Sequence, residues 1–162
     1  ACRHAAAVLG EVGGIEGQRV ALVREGPEVD LAERHWIAVG RRLSERGLPP
    51  VVLWGRHDEQ TLAERIAAGC DGDVPPFLKV GEMASVLARA EQVVGLDTGF
   101  THLAAAFGRP TLGVYCDHEP GLAGITGPGP VASIGGRRQV PGRSEVLELL
   151  DAQMAIREDR PG

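Results

Sequence analysis

Residues 92–115, QVVGLDTGFTHLAAAFGRPTLGVY, decide how the rest of this chain is read. They open on a short apolar run, Val93-Val94-Gly95-Leu96, with the length and β-branched content of a buried parallel strand. The run stops at Asp97-Thr98-Gly99, and an alanine-rich, helix-like segment follows over 100–107. Gly108 ends that helix, Pro110 prevents its continuation, and 111–115 reads as the next strand. The result is a β-turn-α-β unit with a polar tripeptide at the carboxyl end of its first strand. In open α/β sheets ligands bind at that end, beside the free amides of the following helix. Asp or Thr before a helix is also an ordinary N-cap, and glycine is common in tight turns. The tripeptide by itself therefore fits a plain cap as well as a ligand site. His102, in the first turn of the helix, adds an imidazole within reach of an anion at the mouth of the cleft.

Working outward, the same alternation of strand and helix extends in both directions. Residues 18–24 alternate into a first strand, and Gly26 and Pro27 mark a loop. Asp30 caps a helix to about residue 46, closed by Gly47; 50–54 is the second strand, and Gly55 opens the loop Arg56-His57-Asp58. A helix over 59–68, a turn-rich connector over 71–76, a short strand over 77–80 and a helix over 82–90 lead into the central unit. Beyond it come a long loop over 116–130, a strand over 131–134 and a C-terminal helix from Ser144. This order implies an α/β fold, a Rossmann-like parallel sheet with right-handed crossovers and helices on both faces. Residues 1–17, with Gly10, Gly13, Gly14 and Gly17 but no G-x-G-x-x-G, read as a linker or entry segment, and 18–162 as one domain.

Composition narrows the function. The net charge is −5, which gives no electrostatic case for nucleic acid, and Lys79 is the only lysine among scattered arginines. Cys2, Cys70 and Cys116 are odd in number and lack C-x-x-C spacing, which fits a reducing compartment rather than a disulfide framework. No apolar run approaches the roughly 18 residues of a membrane span. The first residue is Ala1 rather than methionine, as in a fragment or a processed product.

His57-Asp58-Glu59 and Asp117-His118-Glu119 invite a metal reading, but three consecutive residues do not converge on one ion in regular structure, and no metal site is expected. Both triplets follow strands, on the sheet edge that carries Asp97, so three polar loops meet where a nucleotide or sugar nucleotide would lie. There is no G-x-S-x-G, no P-loop and no local Cys-His signature.

The run 94–106, VGLDTGFTHLAAA, followed by Gly108-Arg109-Pro110-Thr111, resembles the D-T-G-x-x-H-L-x-A-A signature of family 9 glycosyltransferases, the ADP-heptose:lipopolysaccharide heptosyltransferases. The likeness extends back through Leu78, Leu53-Trp54-Gly55 with Glu59, and Trp36, and forward through Tyr115 to 119–124, EPGLAG, covering roughly 18–130. It implies the donor-binding C-terminal half of a two-domain GT-B enzyme. In that scheme Asp97 contacts the heptose, Thr98 and Gly99 offer amides to the diphosphate, and His102 sits near the same phosphates. Glu59 binds the adenosine ribose and Leu78 lines the adenine pocket, with Arg24, Arg56 and His118 as candidate phosphate contacts.

The resemblance further implies ADP-heptose as donor substrate, no cofactor, and a catalytic base on an N-terminal domain that this chain does not match. A lipopolysaccharide-core acceptor reached through that domain, and a cytoplasmic location at the inner face of the bacterial inner membrane, are implied with it. Val29 stands where the family carries a phosphate-binding lysine, Leu31 replaces the neighbouring aromatic, Arg24-Glu25 replace threonines, and Cys116-Asp117-His118 replace a Gly-Pro-Thr. The alternatives are a domain that keeps the fold without the chemistry, and a transferase for another nucleotide sugar.

Overall fold

The computed structural model describes residues 20–23, 33–96, 99–115, 124–136 and 141–158. Five short apolar runs form one parallel sheet: β1 (Val20–Val23), β2 (Pro50–Leu53), β3 (Gln92–Leu96), β4 (Thr111–Tyr115) and β5 (Val131–Gly135). Their order is β2-β1-β3-β4-β5, with Val20 opposite both Pro50 and Gln92, Val93 opposite Thr111, and Thr111 opposite Val131. The helices are α1 (Glu33–Glu45), α2 (His57–Cys70), α3 (Val80–Arg89), α4 (Gly99–Ala106) and α5 (Arg143–Glu158).

Alternation along the strands sorts the core into two layers. Val52, Trp54, Val94, Leu96, Leu112 and Val114 meet Trp36, Val39 and Leu43 of α1, Ile66 of α2, and Val146, Leu150 and Met154 of α5. Val51, Leu53 and Val93 point the other way, onto Met83, Val86 and Leu87 of α3 and Ala104 of α4. The expected α/β class, a parallel sheet covered by helices on both faces, is what the chain adopts. Burying both faces explains why the strands read as continuous apolar runs.

One expected strand is absent. Residues 77–79 form no strand and Val80 already begins α3, so the connection from β2 to β3 holds two helices and no strand. The chain passes from one face of the sheet to the other around the free edge of β2. Asp73 fills that edge as a single bridge, its N–H donating to Pro50 O and its carbonyl accepting from Val52 N, each at 2.9 Å. Pro75 and Pro76 then offer no N–H to a ladder, and Leu78 turns into the core at 5% exposure. The passage also shields an edge that would otherwise present unpaired backbone.

The helix expected from Glu59 starts two residues earlier, at His57. The helix expected from Asp30 is described from Glu33 to Glu45, with Gly47 at φ +75° closing it and Leu48 N–H donating back to Leu43 O at 3.0 Å. The 1–17 segment lies outside the described residues. Two buried amides bind the last helix to the sheet. Gln92 Nε2 donates to Gln153 Oε1 at 2.8 Å, and Gln153 Nε2 donates to Thr111 O at 2.9 Å. No helix among the described residues is long and apolar enough to cross a membrane.

Candidate functional site

Strand order 2-1-3-4-5 reverses direction between β1 and β3, and in such sheets the crevice beyond the carboxyl ends of those two strands is the ligand position. Val23 ends β1 opposite Gly95, and β3 ends one residue later at Leu96, so the polar tripeptide after Leu96 follows directly from the switch point. Asp97 and Thr98 themselves lie outside the described residues, as do Arg24 and His118.

Gly99 is described. It is the exposed first residue of α4, where the leading N–H groups have no intrahelical acceptor. A Cβ built on Gly99 meets nothing within 4 Å, and its φ is not among the positive ones. Among the described residues, neither packing nor backbone geometry therefore requires glycine at this position. His102 lies one turn further along α4, half-buried.

A cavity of about 330 Å³ is lined by Gly55, Phe77, Leu78, Lys79, Val80, Met83 and Phe100. It lies past the carboxyl end of β2, against the start of α3, and reaches the start of α4 through Phe100, the residue next to Gly99. Leu78, expected to line a base pocket, forms part of its wall. Glu59 adjoins it through Gly55. The Glu59 carboxylate is largely buried, and its Oε2 accepts from Gly55 N–H at 3.0 Å and Arg56 N–H at 3.1 Å. Those bonds occupy two of the orphan donors at the start of α2, which is why that helix begins early. Both end on Oε2, and among the described residues no donor reaches Oε1.

Of the expected site residues, Leu78 lines the cavity, Glu59 is hydrogen-bonded to the lining residue Gly55, and Gly99 precedes the lining residue Phe100. Arg56 caps α2 nearby, but its guanidinium is turned onto Asp58, Nε to Oδ1 at 3.1 Å and a terminal nitrogen to Oδ2 at 2.8 Å. Both side chains are well exposed, and exposed pairs of this kind hold weakly. Phe77, Lys79, Val80, Met83 and Phe100 were not identifiable from sequence as site residues. For Phe77 and Val80 the one signal is the apolar content of a stretch that reads equally well as a strand. Among the described residues no three His, Cys, Asp or Glu side chains group as metal ligands. The Cys70 thiol is buried, donates to Ile66 O at 3.1 Å, and is pushed up to about 11 by desolvation, which removes it as a nucleophile.

The glycosyltransferase family 9 (heptosyltransferase) model matches residues 30–143. Among curated relatives, lipopolysaccharide heptosyltransferase 1 of Pseudomonas aeruginosa is 41% identical over 96 residues, 59% of this chain and 27% of that protein. The Salmonella typhimurium enzyme of the same name is 39% identical over 98 residues, 57% of this chain and 31% of the relative. Among solved structures, E. coli heptosyltransferase WaaC with ADP matches at TM-score 0.75 and 29% identity, covering 92% of this chain and 48% of that one. E. coli ADP-heptose lps heptosyltransferase II shares the fold at TM-score 0.78 and 16% identity, over 96% of this chain and 52% of its own. The chain therefore spans about half the length of the solved relatives, and under a third of each curated relative is aligned with it. With its family model matched over more than two thirds of its residues, on a parallel sheet of the same fold, this chain belongs to glycosyltransferase family 9, the heptosyltransferases.

Proposed function

We propose that this domain is the donor-binding, C-terminal half of a GT-B heptosyltransferase and holds ADP-heptose for transfer to the inner core of lipopolysaccharide. The observation that carries the reading is the open position at Gly99 beside the cavity. A glycine that no described neighbour crowds, at the head of a helix and one residue before Phe100 in the wall of a pocket of about 330 Å³, leaves room for an anion to approach the backbone. The base lies in the cavity against Leu78, the ribose faces Glu59, and the diphosphate lies over the start of α4 with His102 beside it. Asp97 faces the sugar, and Thr98 and Gly99 offer their amides. Two solved structures of one relative, E. coli heptosyltransferase WaaC, hold ADP and ADP-2-deoxy-2-fluoro heptose, which supports a nucleotide-sugar donor for this fold.

In the reaction, an acceptor hydroxyl attacks the anomeric carbon and the bond from that carbon to the diphosphate oxygen breaks. A base on the acceptor-side domain takes the hydroxyl proton. The leaving diphosphate gains negative charge, and the α4 amides stabilise it by about 0.3–2 kcal/mol through the helix dipole, plus their hydrogen bonds. No metal is needed for this step. The work of this chain is to bind, orient and electrostatically complement the leaving group.

Calorimetric titration with ADP tests the reading. The parent is expected to bind with or without EDTA, and Gly99→Val to abolish binding with its melting temperature unchanged. Equal binding by parent and variant would make the turn a plain helix cap, and a large loss on chelation would overturn the metal-free scheme.

A further inference from the structure

Four large apolar side chains stand exposed among the described residues, and two of them, Phe77 and Val80, share the cavity. Phe77 is 56% exposed and Val80 71%. Single exposed apolar residues are ordinary, but a pair at the mouth of one concave site marks a surface that a ligand covers. Phe77 is also held in place. Its ring centre lies 5.8 Å from that of Trp54 at an interplanar angle of 64°. Trp54 is itself buried and anchored, with Nε1 donating to Pro75 O at 2.8 Å. Pro75 and Pro76 restrict the backbone just ahead of Phe77. With the rings edge to face, at least one face of the phenyl is left uncovered by Trp54. Phe100 adds a second phenyl to the cavity wall, partly buried against the core layer of Leu78 and Met83.

We propose that Phe77 is a stacking wall for a planar heteroaromatic base, and that it makes the site select a nucleoside diphosphate over a bare diphosphate. This rests on the nucleotide-binding reading above and assigns base recognition to a residue outside the family's signature motif. Its rigidity matters physically. A ring already fixed by Trp54 loses little side-chain freedom when a base stacks on it, so more of the stacking energy is available as affinity.

The test titrates ADP and inorganic pyrophosphate into the parent, Phe77→Ala, Phe77→Leu, Phe77→Tyr and Gly99→Val. Stacking on an aromatic side chain is worth enough that Phe77→Ala should weaken ADP about tenfold while leaving pyrophosphate unchanged. Phe77→Leu keeps an apolar side chain against Trp54 without the π face, and should also weaken ADP; Phe77→Tyr should restore it. Gly99→Val should lose both ligands. Phe77→Ala or Phe77→Leu binding ADP within twofold of the parent, or weakening pyrophosphate as much as ADP, overturns the stacking role. If Gly99→Val still abolishes binding in that case, the nucleotide reading stands and only this assignment falls. A parent that binds no ADP overturns both.

Discussion

At the scale of single residues, Asp97 and Gly99 are close in sequence and opposite in logic. In the proposed site a diphosphate can approach Gly99 because no side chain is there, whereas a carboxylate at Asp97 would repel it and serve the sugar or the turn instead. Asp97→Ala is therefore expected to weaken ADP-heptose about tenfold while changing ADP little, the size of one charged hydrogen bond lost. Paired titrations of the two ligands measure this. Equal weakening of both would make Asp97 a support of the turn, and no change in either would leave it a helix cap. Candidates of this kind stand out in the sequence because each carries unusual chemistry in a fixed motif. Phe77 does not, since an exposed phenylalanine and a buried one look alike until the neighbours of the ring are known. Leu78 and Glu59 came only through resemblance. Nothing in the spacing of Glu59 distinguishes a ribose ligand from the helix-capping carboxylate it also is.

That double duty is best argued at the scale of elements. Glu59 Oε2 holds the first turn of α2 by accepting from two backbone N–H groups, and in the proposed site Oε1 is the oxygen left for the ribose. Glu59→Ala should cost about 1 kcal/mol of stability, the usual loss at a helix cap, and lower the melting temperature by about 2–4 °C while also weakening ADP. Glu59→Gln keeps a carbonyl acceptor and should recover most of the melting temperature. Differential scanning calorimetry with an ADP titration separates the two effects; a Glu59→Ala variant with parental affinity would leave Glu59 a cap alone. The strands and helices around Glu59 were readable because both faces of the sheet are buried and the runs are continuously apolar. The expected strand over 77–80 failed for a reason outside its own residues. The edge of β2 is already taken by Asp73, a pairing between residues 22 positions apart (Val51 and Asp73) that no local pattern reveals. The early start of α2 was missed likewise, because the cap is a side chain reaching back to Gly55 and Arg56 rather than a residue type at the N-cap.

At the scale of the whole molecule, the sheet has one switch point, between β1 and β3, and the features of the proposed donor site gather beside it. In the proposed site the cavity takes the base, Gly99 the diphosphate and Glu59 the ribose. In the proposed reading the acceptor and the catalytic base belong to the other half of the enzyme. The matched length agrees with that division of labour, since this chain covers 48% of the WaaC structure it resembles. Glycosyl transfer needs the attacking hydroxyl held within about 3–3.5 Å of the anomeric carbon, and positioning of that kind accounts for ~7–11 kcal/mol of barrier in well-oriented reactions. A donor half that binds tightly but leaves the acceptor in free solution forgoes that contribution, and with it a factor of at least ~10⁵ in rate. Residues 1–162 alone are thus expected to bind ADP-heptose yet give no measurable heptose transfer to a lipid A–Kdo acceptor, with turnover appearing when an acceptor-binding half of the family is joined to them. Product formation by the isolated chain at a rate within tenfold of a full-length relative would place the acceptor and the base within these 162 residues and overturn the division proposed here.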